Sequence, residues 1–303
     1  MRGSIHKYAK VGLIHFMAYP STGSGEGPIL ETLRKIALDE YFDAVEITWI
    51  KDPATRRAAK KILETAHMEV AYGGQPRLLT QKLNINDLNE EGRRKALATL
   101  IEGIDEACEM GASGFAFLSG KYEESRKEEA YQALLKSTRE ICAYAKSKGN
   151  IMVAHEVFDY DIEKSSLIGP AALARRYAQD ICKEFDNFGL MVDLSHLPLI
   201  RETAREAILP VKDYLVHAHL GNCVVKDKGN PAYGDQHPRF GFPGGENDVD
   251  EVVEYLQVLL DIGFLNEKKR PFLSFEVKPV GDEDPDLVVA NAKRVLNRAW
   301  ARL

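Results

Sequence analysis

Short apolar, β-branched runs alternate along this chain with longer stretches of helical spacing. The runs that read as strands are "KVGLIHF" (10–16), "AVEITW" (44–49), "MEVAYG" (68–73), "GFAFLS" (114–119), "IMVAHE" (151–156), "GLMVDLS" (189–195), "YLVHAHL" (214–220) and "FLSFEV" (272–277). Between them the apolar period changes from two to about 3.6. Leu97, Leu100, Ile101, Ile104 and Cys108 form one stripe, and Leu134, Leu135, Ile141, Cys142 and Ala145 form another, ended by the glycine of "SKGN". Asn247 or Asp248 can cap a further helix carrying Val252, Leu256, Leu259 and Leu260. Within "YLVHAHL" strict alternation puts His217 and His219 on the same face.

Eight strand–helix units imply parallel strands, because parallel neighbours need helical crossovers. Eight such units closing on themselves make a (β/α)8 TIM barrel, predicted here as one domain over residues 1–303. An open doubly wound sheet would need a glycine-rich turn directly after an early strand. In "GLIHFMAYPSTGSGEG" the glycines come too late, and Pro28 opens the next helix.

Composition narrows the function. The chain has 303 residues, 45% of them hydrophobic, and a net charge of −6 with both signs interspersed. That balance argues against a nucleic-acid partner, which demands a basic face. No apolar run reaches the roughly 20 residues of a membrane span, and "MRGSIHKYAK" has no apolar leader core, so a cytoplasmic protein is expected. Cys108, Cys142, Cys182 and Cys223 form no CxxC pair and read as buried thiols.

Function in such barrels gathers at the C-terminal strand ends. Strand 5 ends in Glu156, strand 6 in Asp193 with His196 just beyond, strand 7 in His219 and strand 8 in Glu276. Any one of these alone reads as a helix cap or a satisfied core group. Four on consecutive strands are different, because buried carboxylates converging on one rim repel each other unless a cation or proton intervenes. The oxygen-rich donor set suits one divalent metal ion, Mn2+ first, with Mg2+, Co2+ or Zn2+ as alternatives.

This Glu…Asp-x-x-His…His…Glu series resembles the xylose-isomerase-like barrel superfamily, in particular the sugar isomerase/epimerase branch related to D-tagatose 3-epimerase. The resemblance implies Glu156, Asp193, His219 and Glu276 as metal ligands and Glu156 with Glu276 as the proton-transfer pair. It also implies that His196 holds a substrate oxygen, while His217 packs in the barrel or supports His219 from behind. The implied activity is metal-dependent proton abstraction next to the carbonyl of a keto-sugar or sugar acid. Relatives of this kind are often dimers or tetramers, so a homo-oligomer is open.

The chain departs from that pattern in places. Where relatives often carry an Arg after the strand-7 His, this chain has Val225 and Lys226. The following loop offers Asp235, His237 and Arg239, and Lys278 lies two residues past Glu276. These are candidate substrate contacts, with Arg239 equally readable as a solvated loop residue. They favour an acidic or oxidised sugar and open a lyase or decarboxylase as the alternative reaction. "DQH" also resembles the Asp-x-His with which endonuclease IV helps build a three-zinc site; Asp235 and His237 could touch substrate or a second metal. The histidines that nuclease needs after strands 2 and 3 are missing. A sugar-binding subunit without chemistry is the remaining alternative. His15, Trp49, Tyr72 and Gln75 could line the opposite rim, with Phe158 and Asp159 at the entrance.

Overall fold

The computed structural model of the chain describes residues 3–149 and 151–303. Among them, β1 (Lys10–Ile14), β2 (Ala44–Ile47), β3 (Glu69–Gly73), β4 (Gly114–Leu118), β5 (Met152–Glu156), β6 (Phe188–Asp193), β7 (Leu215–Gly221) and β8 (Phe272–Glu276) pair in parallel in sequence order, and β8 closes on β1. The fold is the expected (β/α)8 TIM barrel. No helix of the described residues is long and apolar enough to cross a membrane.

Outward residues such as Val45, Tyr72, Phe115, Val153, Leu190, Ala218 and Leu273 join the helices in one continuous core. The stripes through Leu97–Ile104 and Leu134–Cys142 lie in the helices Glu90–Glu109 and Lys127–Gly149, and most of their residues are buried in that core. Gly149 ends the second with a positive φ of 148°; the Asn150 of that motif lies outside the described residues. Asp248, of the two caps considered, closes a capping box with Glu251 on the helix Val249–Asp261.

Inside the ring several strand positions carry small residues, among them Gly12, Ala71, Ala116 and Ala154. Ala116, Ala154 and Met191 form a separate cluster, and a Cβ on Gly12 would crowd the buried Ser274 side chain. Space in the barrel centre is therefore left for polar groups.

Two expectations need correction. Strand 1 ends at Ile14, and His15 opens a helical turn, His15–Ala18. Its Nε2 bonds Thr32 Oγ1 at 2.7 Å, so His15 is tied into the wall and does not line the rim. The run read as strand 6 extends to Ser195, but the strand stops at Asp193, the end expected to carry the site, where the Ser195 N–H folds back to donate to Asp193 Oδ1 at 2.5 Å. After β6 the long crossover helix is replaced by the short segments His196–Ile200 and Ala204–Ile208.

Candidate active site

Strand register delivers the four acidic and imidazole groups to one rim. Asp193 pairs with His219 across β6 and β7, and Gly221 with Glu276 across β7 and β8, so Glu276 stands one pleat above His219. All four are buried. His219 Nδ1 lies 2.8 Å from Glu276 Oε2, 3.6 Å from Glu156 Oε1 and 3.6 Å from Asp193 Oδ2. One donor atom from each of the four residues falls within 4.8 Å of every other.

Each of two carboxylates has one oxygen tied and the other free. Gln75 Nε2 donates to Glu156 Oε2 at 2.7 Å, and the Ser195 N–H holds Asp193 Oδ1. Glu156 Oε1 and Asp193 Oδ2 are buried with no hydrogen-bond partner. A buried lone pair without a donor is costly, and here two of them converge on one imidazole nitrogen. Metal–ligand distances of about 2.1 Å put neighbouring donors roughly 3 Å apart, close to the spacing found. The residues present fit a divalent cation.

Electrostatics agree with such crowding. Burial pushes the Glu276 carboxyl up to about 7, helped by the Glu156 charge against the pull of His237 and His219. Burial also acts to raise Asp193, but His219, His196 and His237 overcome it and hold that carboxyl well below the usual range.

Behind His219 stands Glu46 of β2, which the sequence reading missed. Its Oε1 accepts from His217 Nε2 at 2.7 Å and from His219 Nε2 at 3.1 Å. Because a carboxylate only accepts, an Nε2 proton of His219 is held on that side, and Nδ1 faces the carboxylates of Glu156, Asp193 and Glu276. His217 stacks on Phe272, with ring centroids 5.1 Å apart, and supports the site from below. The one available signal was an acidic residue at the centre of the otherwise apolar "AVEI" strand.

A second buried cluster adjoins the first. His196 Nε2 and His237 Nε2 approach Asp235 Oδ1 at 3.0 and 2.9 Å, and His237 Nε2 is 3.4 Å from Glu276 Oε1. Lys164 Nζ pairs with Asp235 Oδ2 and with Glu163 Oε1, both at 2.9 Å. Burial opposes charge on His196 and His237, yet Asp235 and the neighbouring carboxylates raise them to about 10 and about 9. His196, Asp235 and His237 are also arranged closely enough to bind a metal ion together. The Lys164 ammonium already supplies Asp235 with one positive charge.

Above these groups lies a cavity of about 290 Å3. Ile14, Phe16, Met17 and Leu79 form its apolar side; Glu46, Glu156, His219, Asp235, His237, Glu276, Lys164 and Lys278 form its polar side. Lys278 and Phe158 reach it as the sequence suggested, and His196 packs behind Phe158 at a ring distance of 4.3 Å. Arg239 does not reach it: its Nε donates to Glu283 Oε1 at 2.8 Å, and its guanidinium lies over Phe242. Tyr72 accepts from Arg77 and Trp49 donates to Gly23 O, both outside the cavity. Asp159 is an organiser of the entrance. Its carboxylate accepts the N–H groups of Ile162, Glu163 and Lys164 at 2.7 Å each, and the resulting loop presents Lys164.

A closed (β/α)8 barrel with a carboxylate and imidazole centre at its C-terminal mouth defines a class of metal-competent barrel proteins. Residues 35–297 match the xylose isomerase-like TIM barrel family, and the chain belongs to it. Solved structures of similar fold include a D-tagatose 3-epimerase-like protein (19% identity, TM-score 0.71, covering 97% of this chain and 99% of that one). An L-ribulose 3-epimerase matches at 19% identity and TM-score 0.73, covering 97% and 96%. A 3-keto-D-glucoside 4-epimerase from E. coli matches at 17% identity and TM-score 0.63, covering 97% and 99%. No curated protein matches the chain in sequence.

Proposed function

We propose that this protein is a sugar isomerase or epimerase that moves a proton next to the carbonyl of a keto-sugar or sugar acid, with one divalent cation, Mn2+ first, held by Glu156, Asp193, His219 and Glu276. The observation that carries this reading is the pair of free, buried oxygens on Glu156 and Asp193 converging on the His219 nitrogen beside Glu276. The names of the neighbouring structures agree with it. The cation would polarise the substrate carbonyl and stabilise the negative charge that develops on its oxygen.

The chain's own residues do the rest. Gln75 fixes the face of Glu156, and His219 with His237 flank Glu276, so two carboxylates are held for proton removal and return. Return of the proton at the same carbon on its other face is epimerisation, and return at the neighbouring carbon is isomerisation. The apolar wall of Ile14, Phe16 and Met17 excludes water and suits the C–H face of a sugar ring. Lys278 in the same cavity favours an acidic sugar, and with it a lyase acting on an oxidised sugar as the second reading.

The test is a panel of keto-sugars and sugar acids in D2O with added Mn2+. Deuterium should enter the substrate carbon with wild-type protein and stop in Glu156→Gln and Glu276→Gln, whose circular dichroism stays native. Undiminished exchange in either variant sinks the assigned roles. Release of a smaller product would establish the lyase reading instead.

A further inference from the structure

A second chamber, of about 470 Å3, lies beside the first. Leu79 and Lys164 line both, so the two share a wall. Leu78, Leu83 and Leu118 supply its apolar surface, while Lys82, Lys121 and Lys164 supply charge; none of its lining residues is acidic. Lys164 is taken by Glu163 and Asp235. Lys82 and Lys121 are exposed, and among the described residues neither has an ion-pair partner. Leu79, at the shared wall, keeps 44% of its surface exposed.

The polar groups of this chamber are already used within the protein. Ser119 Oγ bonds Ser166 Oγ at 2.7 Å and accepts the Ile168 N–H. Asn84 Nδ2 donates to Lys121 O, and its Oδ1 accepts from Asn86 N. A bare sugar needs many free hydroxyl partners, which this chamber does not offer. What it offers is leucine surface under two unpaired cations, complementary to an apolar group that ends in an anion.

We propose that the substrate carries, beyond the sugar ring held in the first cavity, an apolar substituent ending in an anionic group, and that this substituent occupies the second chamber under Lys82 and Lys121. The proposal rests on the function proposed above for the first cavity, and it adds that free monosaccharides are incomplete substrates.

Calorimetric titration with 4-carboxyphenyl glucoside, phenyl glucoside and glucose tests it without turnover. The carboxyphenyl compound should bind wild-type protein at least tenfold tighter than the phenyl compound, and phenyl tighter than glucose. The Lys82→Glu/Lys121→Glu double variant should lose the tenfold preference, with unchanged phenyl glucoside binding and unchanged deuterium exchange into any small keto-sugar that wild type accepts. Equal binding of the three probes to wild type, or a preference that survives in the double variant, overturns the proposal. Exchange that fails for every sugar while the binding preference holds would overturn the proposed reaction and leave the chamber assignment standing.

Discussion

Replacement of Glu46 by Gln isolates the charge behind the metal-competent imidazole. Both imidazole contacts land on one oxygen, Oε1, at 2.7 and 3.1 Å. An amide oxygen can occupy the same place, so geometry is kept and only charge is lost. A hydrogen bond to a charged group is worth about 1.5–3 kcal/mol and a neutral one about 0.5–1.5 kcal/mol. The His219 bond alone thus weakens by about 1–1.5 kcal/mol, close to tenfold in an equilibrium constant. Supporting groups of metal-bound histidines are generally worth about 10- to 100-fold in affinity. Titration of EDTA-stripped protein with MnCl2 should accordingly give a Kd raised by about 10- to 100-fold in Glu46→Gln, with circular dichroism unchanged. If Glu46 merely props the barrel, the variant will melt earlier yet bind Mn2+ within twofold of wild type. That result would refute the argument that Glu46 orients and charges His219.

Two further perturbations probe the scaffold. A Cβ at Gly74 would stand 2.7 Å from Phe115 Cζ and 2.8 Å from Ala116 O, so Gly74→Ala should cost about 1–3 kcal/mol in urea unfolding; an unchanged midpoint counts against the tight β3–β4 junction that carries Gln75. Burial lowers His15 and His155 to about 3 from 6.5. A folded value below the unfolded one means that the unfolded chain takes the proton first, so stability is complete above about pH 6.5 and falls as pH drops toward 3, by about 1.4 kcal/mol per pH unit for each histidine. In His15→Gln the acid slope measured between pH 6 and 4 should be shallower by about that amount, and an identical slope would exclude His15 as a contributor.

The alternation of strand and helix was legible because both periodicities are strong, and parallel strand order then places every C-terminal strand end on one rim. Glu156, Asp193, His219 and Glu276 needed nothing more than that rule. Glu46 was hidden because the second run was carried to Trp49, which leaves Glu46 well short of the strand end, whereas the strand stops at Ile47 and so brings Glu46 close to the site. Lys164 depends on a loop folded around Asp159, whose three shortest backbone contacts have no periodic signature. Arg239 misled for a related reason: its partner Glu283 lies 44 residues later, in a segment whose path the chain pattern does not give. Long-range charge pairing is decided by tertiary structure, so composition of a loop does not reveal which cation remains free.

A barrel interior is ordinarily filled by layers of branched apolar side chains. Here Gly12, Ala44, Ala71, Ala116 and Ala154 occupy strand positions, and Glu46 with His217 reach a cavity of about 410 Å3 at the N-terminal end of the ring. Large residues at those positions would fill the space that the Glu46–His217 pair occupies. Without that pair, the buried Nε2–H of His219 would lose its acceptor. The small residues deep in the ring and the carboxylates at its mouth are therefore connected by three links in series: space admits Glu46, Glu46 orients His219, and His219 presents one nitrogen to three acidic side chains. Each link is a packing or hydrogen-bond requirement. The polarity of the mouth follows from the volume of the residues beneath it.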